Sequence, residues 1–372
     1  MKICFVLPHE PNPRIEKRID SLLAQHQVTV LVWNKNDSQP FFTRQENNLV
    51  KYIDIMEPCD HGKPLKRILP MLRFSKKVCR YLKEEEPDII YTTNLDLLKS
   101  INNYVRRNSK VKIAYEIADL HYMLVDPAKS IKQKLVQIVL RNVERRLSKR
   151  VELLITTSPK YYDVYYNQFF HENEVLFIPN IPDVSNFDNY KVKERGPFTV
   201  GFVGAVRFEK QLKMLIDVCE KLNINVFIAG LDKKGEINRY SEEKEHVRRF
   251  GKYNYSKDIA NIYGQCDCIF SVYDSSLNNV KIALPNKLYE AMHCQLPIIA
   301  AKDTYLSELI SEWNIGESIQ CDSSIELETL LKKWMSNDRG FQFLREQCEI
   351  RKTELDLDVY NEKLVERING LK

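Results

Sequence analysis

Short apolar segments rich in β-branched residues alternate with longer amphipathic stretches along most of the chain, and this alternation limits the possible folds strongly. The first half contains five such apolar segments, at residues 3–7, 28–33, 88–91, 112–115 and 153–156. Apolar segments separated by helical patterns are typical of βαβ units around a parallel sheet that is buried on both faces. The sequence therefore predicts an α/β fold.

A second series of apolar segments follows a polar interruption near the middle of the chain. The interruption contains Pro179, Asn180 and Pro182, and a charged stretch continues to residue 197, as in an interdomain linker. With 372 residues, the chain is longer than one core usually serves. We predict two Rossmann-like domains whose parallel sheets face each other across a cleft. The predicted boundaries are 1–182 for the first domain, 183–197 for the linker, 198–355 for the second domain and 356–372 for a helix that is a candidate to cross back to the first.

The composition indicates in which cellular compartment the protein works and whether it binds nucleic acid. No apolar run approaches the roughly 18 residues of a membrane span, and the apolar run after Met1 is too short for a signal peptide. Nine scattered cysteines favour a reducing compartment, and Cys266 and Cys268 have the spacing of one strand face rather than of a metal knuckle. No nucleic-acid-binding motif occurs. We expect a cytoplasmic protein that binds no nucleic acid.

A glycine turn with two cations is the first candidate for chemistry. A predicted strand ends near Gly204, and a helix is predicted to begin near Lys210. Arg207 and Lys210 would lie near the carboxyl end of that strand, where two cations can hold a diphosphate. The alternative is a surface turn with two solvated cations, because the glycine spacing matches neither G-x-G-x-x-G nor a P-loop.

A second candidate is the segment that begins at Pro285. Proline suits the first helical position, where the free N–H groups of the first turn form an anion site. Glu290, further along this helix, can accept hydrogen bonds from the two hydroxyls of a ribose. The alternative is an ordinary capped helix in which Lys287 and Glu290 form a surface ion pair.

Together these segments resemble the GT-B glycosyltransferases of family 4, which build bacterial polysaccharides and lipid-linked sugars. The resemblance spans nearly the whole chain and is most specific over residues 285–292, which are followed by 295–300. It implies a nucleotide-sugar donor, retention of anomeric configuration, no metal and no cofactor. It also implies a set of donor-binding residues, with Glu290 on the ribose: Gly204, Arg207, Lys210, Asn286, Lys287 and Glu290.

In the first half, residues 114–121 resemble the strand end at which the family carries an acidic pair around a histidine. Ala118 occupies the histidine position, whereas Asp119 is retained. The resemblance implies that Asp119 orients the acceptor or stabilises positive charge on the sugar, although a helix or turn cap is the alternative. His9, which follows the first strand, is the second catalytic candidate. A further departure is Ile282, which replaces a glutamate that contacts the transferred sugar in many members, so the donor-sugar contacts differ.

Basic residues are interleaved with apolar ones in two stretches of the first half, 64–82 and 131–151. Basic amphipathic helices suit anionic membrane surfaces. The alternative is that the apolar stripes face the domain core and the cations are merely solvated. We expect peripheral association with the inner face of a membrane, and the residues predicted to contact acceptor or membrane are Arg14, Lys66, Arg67, Arg73, Lys76 and Lys77.

The predicted function is therefore the transfer of a sugar from a nucleotide donor to a lipid-linked or polysaccharide acceptor in cell-surface polysaccharide biosynthesis. One alternative is a nucleotide-sugar epimerase of the same fold, which would need acidic and histidine side chains around the sugar. The other is a catalytically silent relative that binds a nucleotide sugar or a membrane as a scaffold.

Overall fold

The computed structural model describes residues 1–35, 49–59, 67–194 and 196–371, and the chain forms two compact units. Unit 1 comprises Met1–Pro179 together with Asp358–Lys372, and unit 2 comprises Asn180–Leu357. Each unit contains one sheet, and all the strand pairs in both sheets are parallel. The predicted α/β class with two parallel sheets is confirmed.

Unit 1 is built on a seven-stranded sheet. Its strands are β1 (Lys2–Leu7), β2 (Gln27–Asn34), β3 (Val50–Met56), β4 (Ile89–Thr93), β5 (Lys112–Ile117), β6 (Leu153–Thr156) and β7 (Val175–Phe177). Its helices include α1 (Pro13–Leu23), α2 (Ile68–Glu85), α3 (Leu95–Val105), α4 (Tyr122–Val125), α5 (Ile131–Ser148) and α6 (Pro159–Val164). The strand order is β3-β2-β1-β4-β5-β6-β7.

Unit 2 is built on a six-stranded sheet. Its strands are β8 (Thr199–Val203), β9 (Asn225–Ala229), β10 (Val247–Gly251), β11 (Cys268–Ser271), β12 (Ile298–Ala301) and β13 (Gly316–Ile319). Its helices are α7 (Glu209–Leu222), α8 (Glu236–Tyr240), α9 (Tyr255–Tyr263), α10 (Asn278–Ile282), α11 (Asn286–His293), α12 (Tyr305–Glu312), α13 (Ser324–Ser336) and α14 (Asp338–Glu354). The strand order is β10-β9-β8-β11-β12-β13.

The strand orders define one switch point in each sheet, between β1 and β4 in unit 1 and between β8 and β11 in unit 2. Strands on the two sides of a switch point are connected in opposite directions along the sheet, which opens a crevice beyond their carboxyl ends. Ligands of open parallel sheets bind in this crevice. Each unit thus has one edge at which a small molecule is expected.

The last helix, α15 (Leu357–Asn369), returns the chain to unit 1. Leu364 and Ile368 are fully buried in the same core as residues of β1 and β2. Arg367 donates a hydrogen bond from Nη1 to the carbonyl of Val175 on β7, at 3.4 Å. The burial of these two apolar side chains and the hydrogen bond to β7 attach α15 to unit 1.

The structure differs from the predicted placement of Cys266 and Cys268. Cys266 does not share a strand face with Cys268, because β11 begins at Cys268 and the amide of Cys266 bonds to the carbonyl of Tyr263 in the preceding turn. Both cysteines are buried and free, and burial raises the pKa of each thiol. Among the described residues, no helix is both long enough and apolar enough to cross a membrane.

Candidate functional site

The side chain of Lys287 lies at the switch point of unit 2. Its ammonium is 4.0 Å from the ring centroid of Phe202 on β8 and 5.1 Å from that of Tyr273, which follows β11. Lys287 is only 7% exposed, and none of the carboxylates that the structure describes forms an ion pair with it. Aromatic faces attract a cation but do not neutralise it. A buried cation with no counter-ion among the described residues makes this crevice a candidate site for an anion.

Two glycines shape the wall beside Lys287. Gly204, at the end of β8, has a φ of +123°, a conformation that side chains disfavour. A Cβ on Gly204 would lie 3.8 Å from the Lys287 ammonium. Gly230, at the end of β9, packs so tightly that a Cβ there would meet the Gly204 carbonyl at 1.8 Å. Both positions therefore require glycine, and the backbone is brought close to the ammonium.

Helix α11 carries both Lys287 and Glu290. Pro285 is the residue before the helix, not its first residue as predicted, and its extended ψ of 147° directs the chain into the first turn. The Asn286 side chain accepts a hydrogen bond from Asn180 at 2.6 Å. The amide of Leu288 donates to the Pro285 carbonyl at 3.0 Å, and among the described residues no side chain caps this helix start. The N–H groups of Asn286 and Lys287, together with the positive end of the helix dipole, can therefore face an anion.

The carboxylate of Glu290 is 5% exposed and receives hydrogen bonds from two tyrosines. Tyr255 donates to Oε1 at 2.7 Å and Tyr263 donates to Oε2 at 2.6 Å. Burial, followed by the charge of Glu290, raises the pKa of both hydroxyls, so both keep their protons at neutral pH. A carboxylate oxygen can accept more than one hydrogen bond, so this carboxylate is chemically suited to accept a hydroxyl of a ligand as well.

Arg207 and Lys210 are less closely associated with this crevice. Both side chains are exposed. The ammonium of Lys210 lies 3.7 Å from Asp322, in a surface depression that also includes Lys213 and Glu328. Lys210 and Glu290 thus have different partners, and of the predicted cations it is Lys287 that is buried at the switch point.

Sequence reasoning missed the aromatic residues of this site. Phe202, Tyr255, Tyr263 and Tyr273 come from a strand, a helix and a loop that are far apart in sequence. Spacing along one helix does not reveal that the hydroxyl of Tyr263 reaches a carboxylate on another helix.

In unit 1, the two predicted catalytic residues follow strands of the same sheet. His9 follows β1 and Asp119 follows β5, with β4 between them, so both lie at the carboxyl edge of the sheet. His9 Nδ1 lies 2.6 Å from the carbonyl oxygen of Glu10. The charge of Asp119 contributes to the raised pKa of Tyr161, after burial, and it opposes the burial that lowers the pKa of His121.

The predicted basic residues of unit 1 are largely paired. Arg14 lies 3.0 Å from Glu116, with 16% of its side chain exposed. Arg67, the residue before α2, lies 2.8 Å from Asp96. Arg73 and Lys77 share a partner, because Glu57 lies 3.5 Å from the first and 2.8 Å from the second. Lys76 is exposed, and Lys66 lies outside the described residues.

Glu144 on α5 is a buried carboxyl beside this edge of unit 1. It is 1% exposed and accepts hydrogen bonds from the hydroxyls of Tyr165 and Tyr166, at 2.8 and 2.7 Å. Burial raises its pKa above the ordinary 4.5 in spite of these two bonds. The folded state therefore holds this proton more tightly than the unfolded state does.

This raised pKa predicts a pH dependence of stability that Glu144→Gln removes. The protonated Glu144 contributes fully to the free energy of unfolding below pH 4.5, and this contribution is lost as the pH rises through the folded-state pKa of Glu144. We therefore expect wild type to lose stability relative to Glu144→Gln as the pH rises from 4.5 to 8. Urea unfolding of both proteins across this pH range measures the difference in their free energies of unfolding. A constant difference would contradict the raised pKa.

Comparison with known proteins finds relatives of both units. Residues 183–353, nearly all of unit 2, match the family model described as "Glycosyl transferases group 1". The succinoglycan biosynthesis protein ExoL of Rhizobium meliloti (strain 1021) is 26% identical over 355 residues, which are 89% of this chain and 84% of that protein. The match to ExoL thus includes residues of both units.

Solved structures share the fold over the full length. A sucrose-phosphate synthase from Thermosynechococcus elongatus has a TM-score of 0.81 at 13% identity, covering 100% of this chain and 99% of its own. Anabaena Alr3699/HepE, solved with UDP and also with UDP-glucose, has a TM-score of 0.73 in the UDP complex at 16% identity, covering 100% of both chains. At these identities the likeness establishes the fold alone. The predicted GT-B architecture is confirmed, whereas membership of family 4 stays a prediction.

Proposed function

We propose that this chain, a glycosyltransferase of the GT-B fold, acts in polysaccharide biosynthesis. In this proposal it transfers a sugar from a nucleotide donor to a lipid-linked or polysaccharide acceptor. The observation that carries the donor assignment is the buried ammonium of Lys287 at the switch point of unit 2, which pairs with no carboxylate of the described ranges. A diphosphate would be an anionic partner for this ammonium. UDP and UDP-glucose are bound by the similar Anabaena protein, which supports a nucleotide sugar as the ligand.

The donor would bind through three features of unit 2. Its diphosphate would contact the Lys287 ammonium and the first-turn N–H groups of α11, while the Gly204 backbone allows close approach. The ribose hydroxyls would donate to Glu290, which Tyr255 and Tyr263 orient. In this proposal Arg207 and Lys210 contact the donor only through movement of exposed side chains.

The proposed reaction breaks the bond between the anomeric carbon and the diphosphate oxygen and forms a new bond to an acceptor hydroxyl oxygen. Lys287 and the helix start stabilise the negative charge that develops on the departing diphosphate. The acceptor attacks from the face that the diphosphate leaves, and its proton passes to the diphosphate oxygen, so the configuration is retained. The protein side chains and the helix dipole supply this charge stabilisation in a mechanism without a metal.

Asp119 is the proposed catalytic residue of unit 1, and His9 is the second candidate. Asp119 lies at the carboxyl edge of the sheet, where it can accept a hydrogen bond from the acceptor or stabilise positive charge on the sugar. His9 lies at the same edge and can bind a hydroxyl of the acceptor.

The membrane proposal rests on an inverted burial pattern in α5. This helix buries the polar Gln137 and Glu144 in unit 1. It exposes a set of apolar side chains, namely Ile131, Leu135, Val136, Ile138 and Val139. The exposed cations of the same helix include Lys132, Lys134, Arg145 and Arg146. An apolar face flanked by cations suits an anionic bilayer surface, where each cation contributes about 1 kcal/mol.

We predict that the double variant Leu135→Gln/Val139→Gln weakens binding to vesicles of anionic phospholipid at least about tenfold. Each side chain loses roughly 1.5 kcal/mol or more of apolar transfer free energy. Vesicle co-sedimentation at two salt concentrations provides the measurement. Ile325→Gln, at a 76% exposed apolar residue of unit 2, is the matched control and should bind like wild type. Equal binding by the double variant and wild type would contradict the proposal.

Incubation of the purified chain with radiolabelled nucleotide sugars and a bacterial lipid extract tests the proposed function. Label that moves into lipid supports transfer. Interconversion of free nucleotide sugars would instead identify an epimerase, and tight binding of the nucleotide sugar without turnover would identify a scaffold.

A further inference from the structure

A cluster of buried charged side chains lies in unit 1 between α1 and the strands β4 and β5. Glu116 on β5 and Arg18 on α1 are each 1% exposed, whereas Arg14, one helical turn before Arg18, has 16% of its side chain exposed. Glu116 Oε1 lies 3.0 Å from Arg14 Nε and 3.8 Å from Arg18 Nη2. Tyr91 on β4 donates a hydrogen bond to the other oxygen, Oε2. Two guanidinium groups therefore share one carboxylate inside the unit.

Arg18 is an unfavourable residue for the stability of this core. Among the residues that the structure describes, none accepts a hydrogen bond from its Nε, Nη1 or Nη2, and its ion pair with Glu116 is long. A buried ion pair that lacks such hydrogen bonds usually stabilises a fold less than apolar side chains of similar volume do. Packing alone thus does not explain an arginine at this position.

The cluster connects the two loops that carry the proposed catalytic residues. The loop with His9, residues 8–12, joins β1 to α1, and Arg14 is the second residue of α1. The loop with Asp119 follows β5, in which Glu116 is the last residue but one. Strand β4 lies between β1 and β5, so the two loops do not follow adjacent strands. The contact between Arg14 and Glu116 bridges this gap.

A second observation places Arg14 close to the Asp119 loop. The hydroxyl of Tyr161 on α6 donates a hydrogen bond at 3.5 Å to the carbonyl of Ala118, the residue before Asp119. Burial raises the pKa of this hydroxyl, the charge of Asp119 adds to the rise, and the charge of Arg14 opposes it. Both charges therefore act on the same side chain.

The His9 loop is in turn fixed to the start of α1. The side chain of Asn12 accepts a hydrogen bond from the amide of Ile15 at 3.1 Å and so caps the helix. The loop has five residues between β1 and α1. A shift of the first turn of α1 is therefore transmitted to His9.

We propose that the buried pair of Arg18 and Glu116 is a positioning device for sugar transfer. Arg18 and Tyr91 hold the Glu116 carboxylate, and this carboxylate holds Arg14, which keeps the two loops in one arrangement. Misplacement of a reacting group by about 1 Å can lower a rate a hundredfold. Arg14 is then a positioning residue and not a contact for the acceptor or a membrane. The inference rests on the proposed function, because it takes the residues on these loops as catalytic.

Arg18→Met tests the proposal, because it removes the buried charge and keeps a long, unbranched side chain. We expect thermal stability equal to or above that of wild type, together with a kcat of sugar transfer at least about tenfold lower. A residue that only supports the fold would lose stability and activity together, and that result would overturn the proposal. Arg351→Met removes an arginine paired with Glu354 at 2.7 Å in unit 2 and, as the matched control, should keep wild-type kcat.

Two variants of Arg14 provide an independent measurement, which also decides if Arg18→Met does not fold. Arg14→Met should lower kcat at least about tenfold while the KM for the acceptor stays within about threefold of wild type. Arg14→Lys, whose ammonium can pair with the same carboxylate, should recover most of the kcat. A raised acceptor KM with unchanged kcat in Arg14→Met would identify a direct acceptor contact and contradict the positioning role, as would wild-type kcat in a folded Arg18→Met.

Titration calorimetry of a nucleoside diphosphate into the same samples separates this inference from the proposed function. The proposed donor site lies in unit 2, so every variant should bind the nucleotide as wild type does. Full activity of Arg18→Met and Arg14→Met beside an active wild type removes only this inference. A wild type that binds no nucleotide and transfers no sugar removes the proposed function, and this inference with it.

Discussion

Replacing Lys287 with methionine is expected to lower the kcat/KM of sugar transfer by roughly a hundredfold to a thousandfold, the usual effect of removing one group that stabilises charge in a transition state. Methionine preserves the packing between Phe202 and Tyr273, because its side chain is similar in length and apolar. The variant therefore loses the charge and little else. Since the ammonium is buried and has no counter-ion in the part of the chain that the structure describes, the variant should be at least as stable as wild type toward heat.

Transfer of label from the nucleotide sugar to the acceptor measures this effect, and thermal unfolding of the same preparation measures stability. The matched control is Lys332→Met on α13, which removes an exposed ammonium paired with Glu328 and should retain wild-type kcat/KM. Activity within threefold of wild type in Lys287→Met would rule out a role for this cation in the reaction.

The second large effect is expected at Glu290. Glu290→Gln should weaken nucleotide binding at least about tenfold, because an amide has one acceptor oxygen where the carboxylate has two, and hydrogen bonds to a charged group contribute about 1.5 to 3 kcal/mol. The fold should survive, since the glutamine oxygen still accepts one tyrosine hydroxyl and its NH₂ can donate to the other.

Glu290→Ala should behave differently. It leaves the hydroxyls of Tyr255 and Tyr263 without their acceptor, and Tyr263 is fully buried. Each unsatisfied buried group costs about 1 to 3 kcal/mol, so this variant should unfold at a lower temperature. Titration calorimetry with a nucleoside diphosphate and thermal unfolding separate the two effects. Wild-type affinity in a folded Glu290→Gln variant would exclude the ribose role.

Much of the fold was predictable because buried parallel strands carry a strong local pattern. The strand at Leu153–Thr156 was predicted with its correct bounds, and most others differ by one or two residues. Strands β3, β7, β10 and β13 lack this signal, and three of the five residues of β10 are exposed. β7 has only three residues, and β3 and β13 keep much of their surface partly exposed, so their apolar runs are broken.

Residues of the candidate site were predictable only where they lie together within one continuous segment of the sequence. Lys287 and Glu290 share a helix, and a motif within that helix identified both. The tyrosines that hold Glu290 and the rings around Lys287 depend on packing between distant segments, which spacing does not encode. Lys210 and Lys287 were both predicted to bind the donor, yet Lys210 is exposed beside Asp322 and Lys287 is buried.

The orientation of α5 was also beyond the sequence. Its pattern predicts two alternatives, an apolar stripe toward the core or toward a membrane. The structure buries Gln137 and Glu144 and exposes Leu135 and Val139, so the core alternative is wrong for most of this helix. Tyrosine hydroxyls at 165 and 166 satisfy the buried carboxyl, and these partners lie outside the helix itself.

Titration calorimetry of UDP and other nucleoside diphosphates into wild type and Lys287→Met tests most directly whether the buried ammonium of Lys287 anchors the donor diphosphate. We predict that at least one nucleoside diphosphate binds wild type and that its dissociation constant rises at least tenfold in the folded variant, while the corresponding nucleoside without phosphates binds both equally weakly. An unchanged dissociation constant in Lys287→Met would contradict the account.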